Sequence, residues 1–285
     1  MSGVTRPSIR ARNRAGAIGL TVVAGLVLFA VFGPLLSSHD PYLSELETGI
    51  TAEHLPLAPN ATFWLGTDRL FRDVLSRLAV GARISLVIGV AATAIATTIG
   101  ALVGIVAGWF EGSIVDAALM RLVDVGLAFP FLLLVMALAA ALDHTTATTI
   151  FLTLGLTGWL GTARVVRAKT MQIRGLDFVT ASRALGQSTP RILLRHVLPN
   201  VAGPLLVIAT TSVAQMIVAE SALSYLGAGI APPTPTWGRM LFEGQDYLTS
   251  SPWIAVAPGI AIMASVLGFN MLGEGLRDAL DPRKD

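Results

Sequence analysis

ISLVIGVAATAIATTIGALVGIVAGWF, residues 84–110, is a run of 27 residues without one ionisable side chain. At about 1.5 Å per residue a helix of that length exceeds the roughly 30 Å of a bilayer's hydrocarbon core. Five more uncharged runs share its character, at residues 15–36, 125–142, 145–163, 197–219 and 247–273. Together the six make up nearly half of the 285 residues, and 53% of the chain is hydrophobic against 13% charged. Transmembrane β-strands alternate polar and apolar residues over about ten positions, whereas these runs are continuously apolar. The expected fold class is therefore an all-α integral membrane protein with six transmembrane helices.

The charges between the runs orient them. Arg6, Arg10, Arg12 and Arg14 precede the first run with no acid among them. The positive-inside rule puts that end in the cytoplasm, and six spans return the C-terminus there. Residues 164–196 then also face the cytoplasm, with Arg164, Arg167, Lys169, Arg174, Arg183, Arg191 and Arg195 against Asp177. Residues 37–62 hold Asp40, Glu45, Glu47 and Glu53 without a base, and the last connection holds Glu220, Glu243 and Asp246 against Arg239. Both lean acidic, as external segments should. The first run imitates a signal peptide but is too long for an h-region and lacks a following A-x-A site, so it should stay uncleaved.

Residues 37–62 read as irregular because of Pro41, Pro56 and Pro59, and residues 63–83 as a short amphipathic external helix. Its stripe is Phe71, Val74, Leu75 and Leu78, with Arg69, Arg72, Arg77 and Arg83 on other faces. Such a helix can lie at the membrane surface or pack on the bundle. In the second run Ala92, Ala96, Gly100, Gly104 and Gly108 recur every four residues, a small-residue face that lets another helix approach closely. Pro130 and Pro258 should kink the third and sixth spans. Ser85, Thr93, Thr97, Thr98, Thr211 and Asn270 are the polar groups inside the runs, read as hydrogen bonds between helices.

Several function classes drop out. An ion-coupled transporter normally places ionisable groups inside its spans, and these six runs have none. A P-loop needs Gly-x-x-x-x-Gly-Lys, whereas the only lysines, Lys169 and Lys284, sit in other contexts. His39, His54, His144 and His196 are isolated, and the chain lacks Cys, so no metal or catalytic constellation can be assembled from motif spacing. His196 is placed at the membrane interface. The net charge of +2 gives no footprint for nucleic acid. The chain is not expected to be an enzyme, and any energy source must come from a partner.

The cytoplasmic segment holds more than a connector. Asp177 can cap a helix whose stripe is Phe178, Ala181, Ala184 and Leu185, and Gly186 is its stop. Ser188 or Thr189 can cap a second helix, with Pro190 at its first position, running to Pro199. A short helix bounded by Gly and presenting small residues suits a groove on a soluble partner.

DFVTASRALGQSTPRILLRHVLPN, residues 177–200, resembles the EAA loop of permease subunits in binding-protein-dependent ABC importers. The family's Glu-Ala-Ala is Thr180-Ala181-Ser182 here, and Gly186, Ile192, Leu198 and Pro199 are retained. The likeness covers almost the whole chain and narrows to the C-type permease of dipeptide, oligopeptide and nickel importers. It is carried by residues 14–41 ending in Asp-Pro, by WLGTDRLFRDVLSRLAVGARISL at 64–86, by MRLVDVGLAFP at 120–130, and by WGRMLFEGQDYL and LGEGLRDALDPR from Trp237 and Leu272. Phe71 stands where that family usually has Gly.

The resemblance implies one added N-terminal span, residues 1–62 with the following external segment, and a permease core, residues 84–285, like that of the methionine importer. It implies a coupling loop at 164–196 in which Asp177, Thr180, Ala181, Ser182, Ala184, Gly186, Ile192, Leu198 and Pro199 meet an ATPase. Its implied partners are a homologous second permease, two cytoplasmic ATPases that carry ATP and Mg, an extracytoplasmic substrate-binding protein and the lipid bilayer, in a bacterial inner membrane. No cofactor falls to this chain. Missing metal ligands in the runs favour a di- or oligopeptide cargo, with nickel or another small solute as the alternative and an ion-coupled carrier as the distant one.

Overall fold

The computed structural model describes residues 9–142 and 146–280, with side chains from residue 14 onward. Arg6, His144, Lys284 and the side chains of Arg10 and Arg12 lie outside the described residues. Eleven α-helices carry the described chain, and the strand content is limited to two isolated bridges, Ile50 with Pro56 and Thr67 with Asp73. Five helical stretches are long and apolar enough to cross a membrane: Arg14–Leu35, Val74–Trp109, Ala147–Arg174, Thr189–Tyr225 and Trp253–Ala279. The pair Ile114–Leu127 and Phe131–Ala140 passes the same test jointly but is bent by 87°, and it brings the number to six where it is counted as one broken span.

Helix α1 is Ile9–Phe32 and α2 is Val74–Trp109. At 36 residues, α2 is about 54 Å long and overshoots the hydrocarbon core. It starts at Val74 because Asp73 caps it: Oδ2 accepts the Ser76 amide at 2.8 Å and the Ser37 hydroxyl at 2.7 Å. A separate external helix over residues 63–83 is therefore corrected. Residues 74–83 are the first turns of α2, and residues 67–73 form the turn before it. Val74 and Leu78 of the expected stripe are buried against Trp237 and Met240, so the stripe packs on protein.

After α3 (Ile114–Leu127) the chain turns by 87° into α4 (Phe131–Ala140). Pro130 disfavours helical backbone at Phe129 and cannot donate to the ladder, so the expected kink is a full break. Helix α5 (Ala147–Thr157) starts in a capping box of Thr146 and Thr149 and passes through Gly158 into α6 (Leu160–Arg174). Then come α7 (Asp177–Ala184), α8 (Thr189–Ile192), a π-turn over Leu193–Val197, and α9 (Leu198–Tyr225). Pro199 explains the π-turn. It has no N–H for Arg195, and the Leu198 amide bonds instead to the Leu193 carbonyl, widening the helix by one residue. Helix α10 is Trp237–Gly244 and α11 is Trp253–Ala279. Pro258 lies within the second turn of α11, which continues through it to Ala279.

Glycines set the closest helix approaches. A methyl on Gly100 would sit 2.7 Å from Thr162 Cβ, one on Gly104 2.6 Å from the Ala163 carbonyl oxygen, and one on Gly108 2.6 Å from that of Arg167. Helix α2 thus lies backbone to backbone on α6, while Ala92 and Ala96 pack with Val135, Ile150, Leu154 and Met216. Helix α1 docks on α11 in the same way: a methyl on Gly16 would sit 2.8 Å from Gly275 Cα. Of the polar residues, Ser85 bonds between helices as expected, to Glu220 of α9, whereas two threonines do not. Thr98 bonds to Ala94 and Thr211 to Val207 and Ile208, each within its own helix, because an i−4 carbonyl is always within reach of a hydroxyl.

Gly104→Leu should force α2 away from α6 and destabilise the protein by about 1–3 kcal/mol or more, since the obstructing atom is backbone. Gly25→Leu is the control, because nothing lies within 4 Å of a methyl there. Thermal unfolding in detergent should show a lowered midpoint for the first and an unchanged one for the second.

Candidate functional site

Helix α7 is held by one face. Val179 is fully buried with Ile105, Trp109, Val166, Ile173, Ile192, Val197 and Val201. Ser182 is buried as well; its hydroxyl donates to the Phe178 carbonyl at 2.7 Å and lies 3.3 Å from His196 Nε2. The Phe178 ring meets the His196 ring at 5.8 Å, and the Arg183 guanidinium stacks over Trp109 at 4.2 Å. His196 is thus part of the seat of α7 and not only an interface residue.

The other face is free. Asp177, Phe178, Thr180, Ala181, Ala184 and Leu185 are exposed, Leu185 by 82%. This apolar ridge sits among Arg174, Arg183, Arg191 and Arg195, where charge density rules out hydrocarbon. Asp177 does not cap the helix. Leu176 holds the N-cap position, and Asp177 lies in the first turn, where its charge still suits the dipole. The end is a Schellman motif: Gly186 has φ +76°, its amide bonds to Arg183 O at 2.9 Å, and the Gln187 amide bonds to Ser182 O at 3.1 Å. A methyl on Gly186 would meet nothing within 4 Å, so backbone conformation alone demands glycine.

Ile192 is buried beneath α7 while Leu198 and Pro199 are exposed at the start of α9. Residues 164–174 belong to α6, so the segment read as a loop from 164 is helical for its first third. Its basic residues are partly paired. Arg167 holds Asp116 through two bonds at 2.6 and 2.7 Å, Arg164 meets Asp124, and Arg174 lies 3.8 Å from Glu111. The count of basic residues had no means of anticipating these partners on α3 and the preceding turn.

At the opposite end of α2 lies a buried ionic cluster. Asp68 Oδ2 accepts Arg72 Nε at 2.8 Å and lies 3.1 Å from Arg77 Nε. Glu243 Oε2 accepts Arg72 Nη2 and Arg77 Nη2, both at 3.1 Å, and its Oε1 accepts Arg239 Nε at 3.1 Å. Arg72 and Arg77 were expected on a surface-facing side; their side chains are 4% and 1% exposed. Burial is affordable only because each guanidinium has carboxylates from two segments. The cluster ties the turn before α2 to α10. Phe71 sits in that turn with φ +60°, and its carbonyl accepts the Glu45 amide at 3.0 Å. A left-handed φ is why glycine suits this position.

Glu220 was assigned to an outer loop and is instead in α9, fully buried. Ser224 Oγ donates to it at 2.8 Å and Ser85 Oγ at 3.3 Å, while Ser85 also accepts the Trp237 amide at 3.3 Å. Between the two helix breaks, α9 and α11 lies a cleft of about 520 Å³, lined by residues that include Phe129, Phe131, Thr157, Gly158, Gln215 and Asn270. No Asp, Glu, His, Lys or Arg lines it.

Residues 100–285 match the family model described as binding-protein-dependent transport system inner membrane component. Residues 11–59 match that of the N-terminal TM domain of oligopeptide transport permease C. The chain is 39% identical over 271 residues to the oligopeptide transport system permease protein OppC of Bacillus subtilis (strain 168), covering 95% of this chain and 86% of that protein. It is 40% identical over 273 residues to the di/tripeptide transport system permease protein DppC of Pseudomonas aeruginosa (strain UCBPP-PA14), covering 96% and 89%. In fold it is similar to a chain of the inward-facing MetNI methionine ABC transporter, at a TM-score of 0.58 and 19% identity, covering 72% of this chain and 96% of that one.

Glu243→Gln should leave Arg72 and Arg77 with Asp68 as their one close carboxylate and Arg239 with none, and cost about 3–5 kcal/mol. Arg239→Ala, at the more exposed rim, should cost less. Denaturant titration of the purified chain should rank the two in that order.

Proposed function

This chain belongs to the binding-protein-dependent transport system inner membrane components, and from that membership we propose that it forms half of the pore of an ATP-driven importer for di- or oligopeptides. The observation that carries the proposal is α7: a capped helix with one buried face and one exposed apolar ridge, held at the charged end of the bundle. Its fit is to a groove on a soluble ATPase, met by Thr180, Ala181, Ala184 and Gly186, while Asp177, Ser182, Ile192, Leu198 and Pro199 set its position. Two such ATPases, a second permease and an extracytoplasmic binding protein complete the machine, and both termini of this chain face the cytoplasm. Peptide cargo is supported by the names of the relatives and by a mainly apolar cleft wall that carries two side-chain amides, Gln215 and Asn270, and no metal ligand.

Because α7 leans on α2 and α6 through Trp109, Val166 and Val179, a push on α7 acts on the spans directly. Reversing a 1:99 preference between inward-open and outward-open states takes about 5.5 kcal/mol. ATP binding on the partners supplies it, and the hydrogen bonds within the spans only shape the two states.

Gly186→Val places a β-branched residue in a left-handed conformation with open space around it, at a cost of about 1–2 kcal/mol confined to the end of α7. That cost lowers the docking-competent population roughly tenfold. In the assembled importer, peptide uptake should fall while the membrane helices survive, and undiminished uptake would show that α7 is not the coupling element.

Topology is tested by single cysteines in a chain that has none. Glu47→Cys and Gln245→Cys should react with an impermeant maleimide in intact cells, and Ser188→Cys only after permeabilisation. Labelling of Ser188→Cys from outside would reverse the orientation.

A further inference from the structure

Resting on the reading of this chain as half of a peptide pore, we propose that the cleft of about 520 Å³ is the wall along which cargo passes, with Gln215 and Asn270 hydrogen-bonding the peptide backbone. Gln215 lies about two-thirds along α9 and Asn270 about two-thirds along α11. Both side chains are exposed in the chain, and among the described residues neither makes a hydrogen bond. Their polar neighbours differ: Thr210, Thr211 and Ser265 are satisfied by carbonyls of their own helices. An amide brings two N–H donors and a carbonyl acceptor that hydrocarbon cannot satisfy, so these two do not face lipid.

A second observation converges on the same place. The α3–α4 break presents Phe129 and Phe131, and the α5–α6 break presents Thr157 and Gly158, to this cleft. Interrupted helices at membrane depth are tolerated where they line a cavity or are buried in protein. One sharp break, one helix junction and two side-chain amides without partners therefore converge on a single wall, apolar for most of its area and polar at Gln215 and Asn270.

The chemistry of the wall selects its ligand class. It has no charged or imidazole group to hold an ion, a phosphate or one particular side chain. Neutral amides pair with the N–H and C=O groups that every peptide repeats, whatever its sequence, and Phe129, Phe131 and Met216 offer apolar surface to variable side chains. The volume falls within the range of small-ligand sites, large enough for a short peptide segment and too small for a folded one. The second permease closes the opposite side.

The test uses the complete importer in liposomes with trialanine as the probe, carrying Gln215→Cys, Asn270→Cys or, as the lipid-facing comparison on α1, Leu28→Cys. Both cleft cysteines should react with a charged, water-soluble methanethiosulfonate that leaves Leu28→Cys untouched. Trialanine at ten times its Kd should slow that reaction about tenfold. Gln215→Leu and Asn270→Leu should each raise the KM for trialanine uptake roughly two- to tenfold. Cleft cysteines that react only with a lipid-soluble maleimide, or with neither reagent, would overturn the proposal, as would labelling that trialanine does not slow in vesicles that import it. Wild-type vesicles that take up no peptide would overturn the peptide reading itself, and this amide assignment with it.

Discussion

Helix α2 touches α6 along Gly100, Gly104 and Gly108, at a spacing where a single methyl would strike the backbone carbonyls of Ala163 and Arg167. Between lipid-immersed helices there is no hydrophobic drive to associate, so close van der Waals contact of this kind does the holding. Much else depends on it. The end of α2 at Trp109 becomes the floor under Arg183 and Val179 of α7, and α6 turns Arg164 and Arg167 toward the acids of α3.

The start of α2, some 50 Å away, is fixed by a different force. Asp68, Arg72, Arg77, Arg239 and Glu243 join three segments through charge-assisted bonds removed from water. Such a cluster costs desolvation and returns geometry, since losing one partner strands the rest. Trp237 adds to it, fully buried with its indole N–H on the Leu78 carbonyl. One rod therefore has an ionic joint at one end and an aromatic seat for α7 at the other. Whatever moves α7 moves a lever whose far end is clamped.

Length and polarity made the spans legible, because hydrocarbon punishes every unsatisfied backbone group and leaves helices as the answer. The stop at Gly186 was legible too, since a left-handed residue beyond a helix end has few chemical solutions. Arg72 and Arg77 were misplaced because their carboxylate partner Glu243 is more than 160 residues away, and an apolar stripe says nothing of what lies beside it. Glu220 was misplaced by one residue of bookkeeping. The uncharged run ends at Ala219, whereas α9 continues to Tyr225 with serine hydroxyls waiting for the carboxyl. The cleft was only partly legible: Pro130 and Asn270 stood out in the sequence, but the elements that bring them to one wall with Gln215 meet only in three dimensions.

Coupling through this chain requires α7 to meet an ATPase. The direct measurement is cross-linking in the assembled importer from a photoreactive maleimide on Leu185→Cys or Ala181→Cys, both on the free face, and on Glu47→Cys at the far end of the molecule. Covalent capture of the ATPase subunit is expected from both α7 positions, lost when that subunit is left out, and none from Glu47→Cys. Capture of lipid or of the second permease from both α7 positions, with the ATPase untouched, would contradict it.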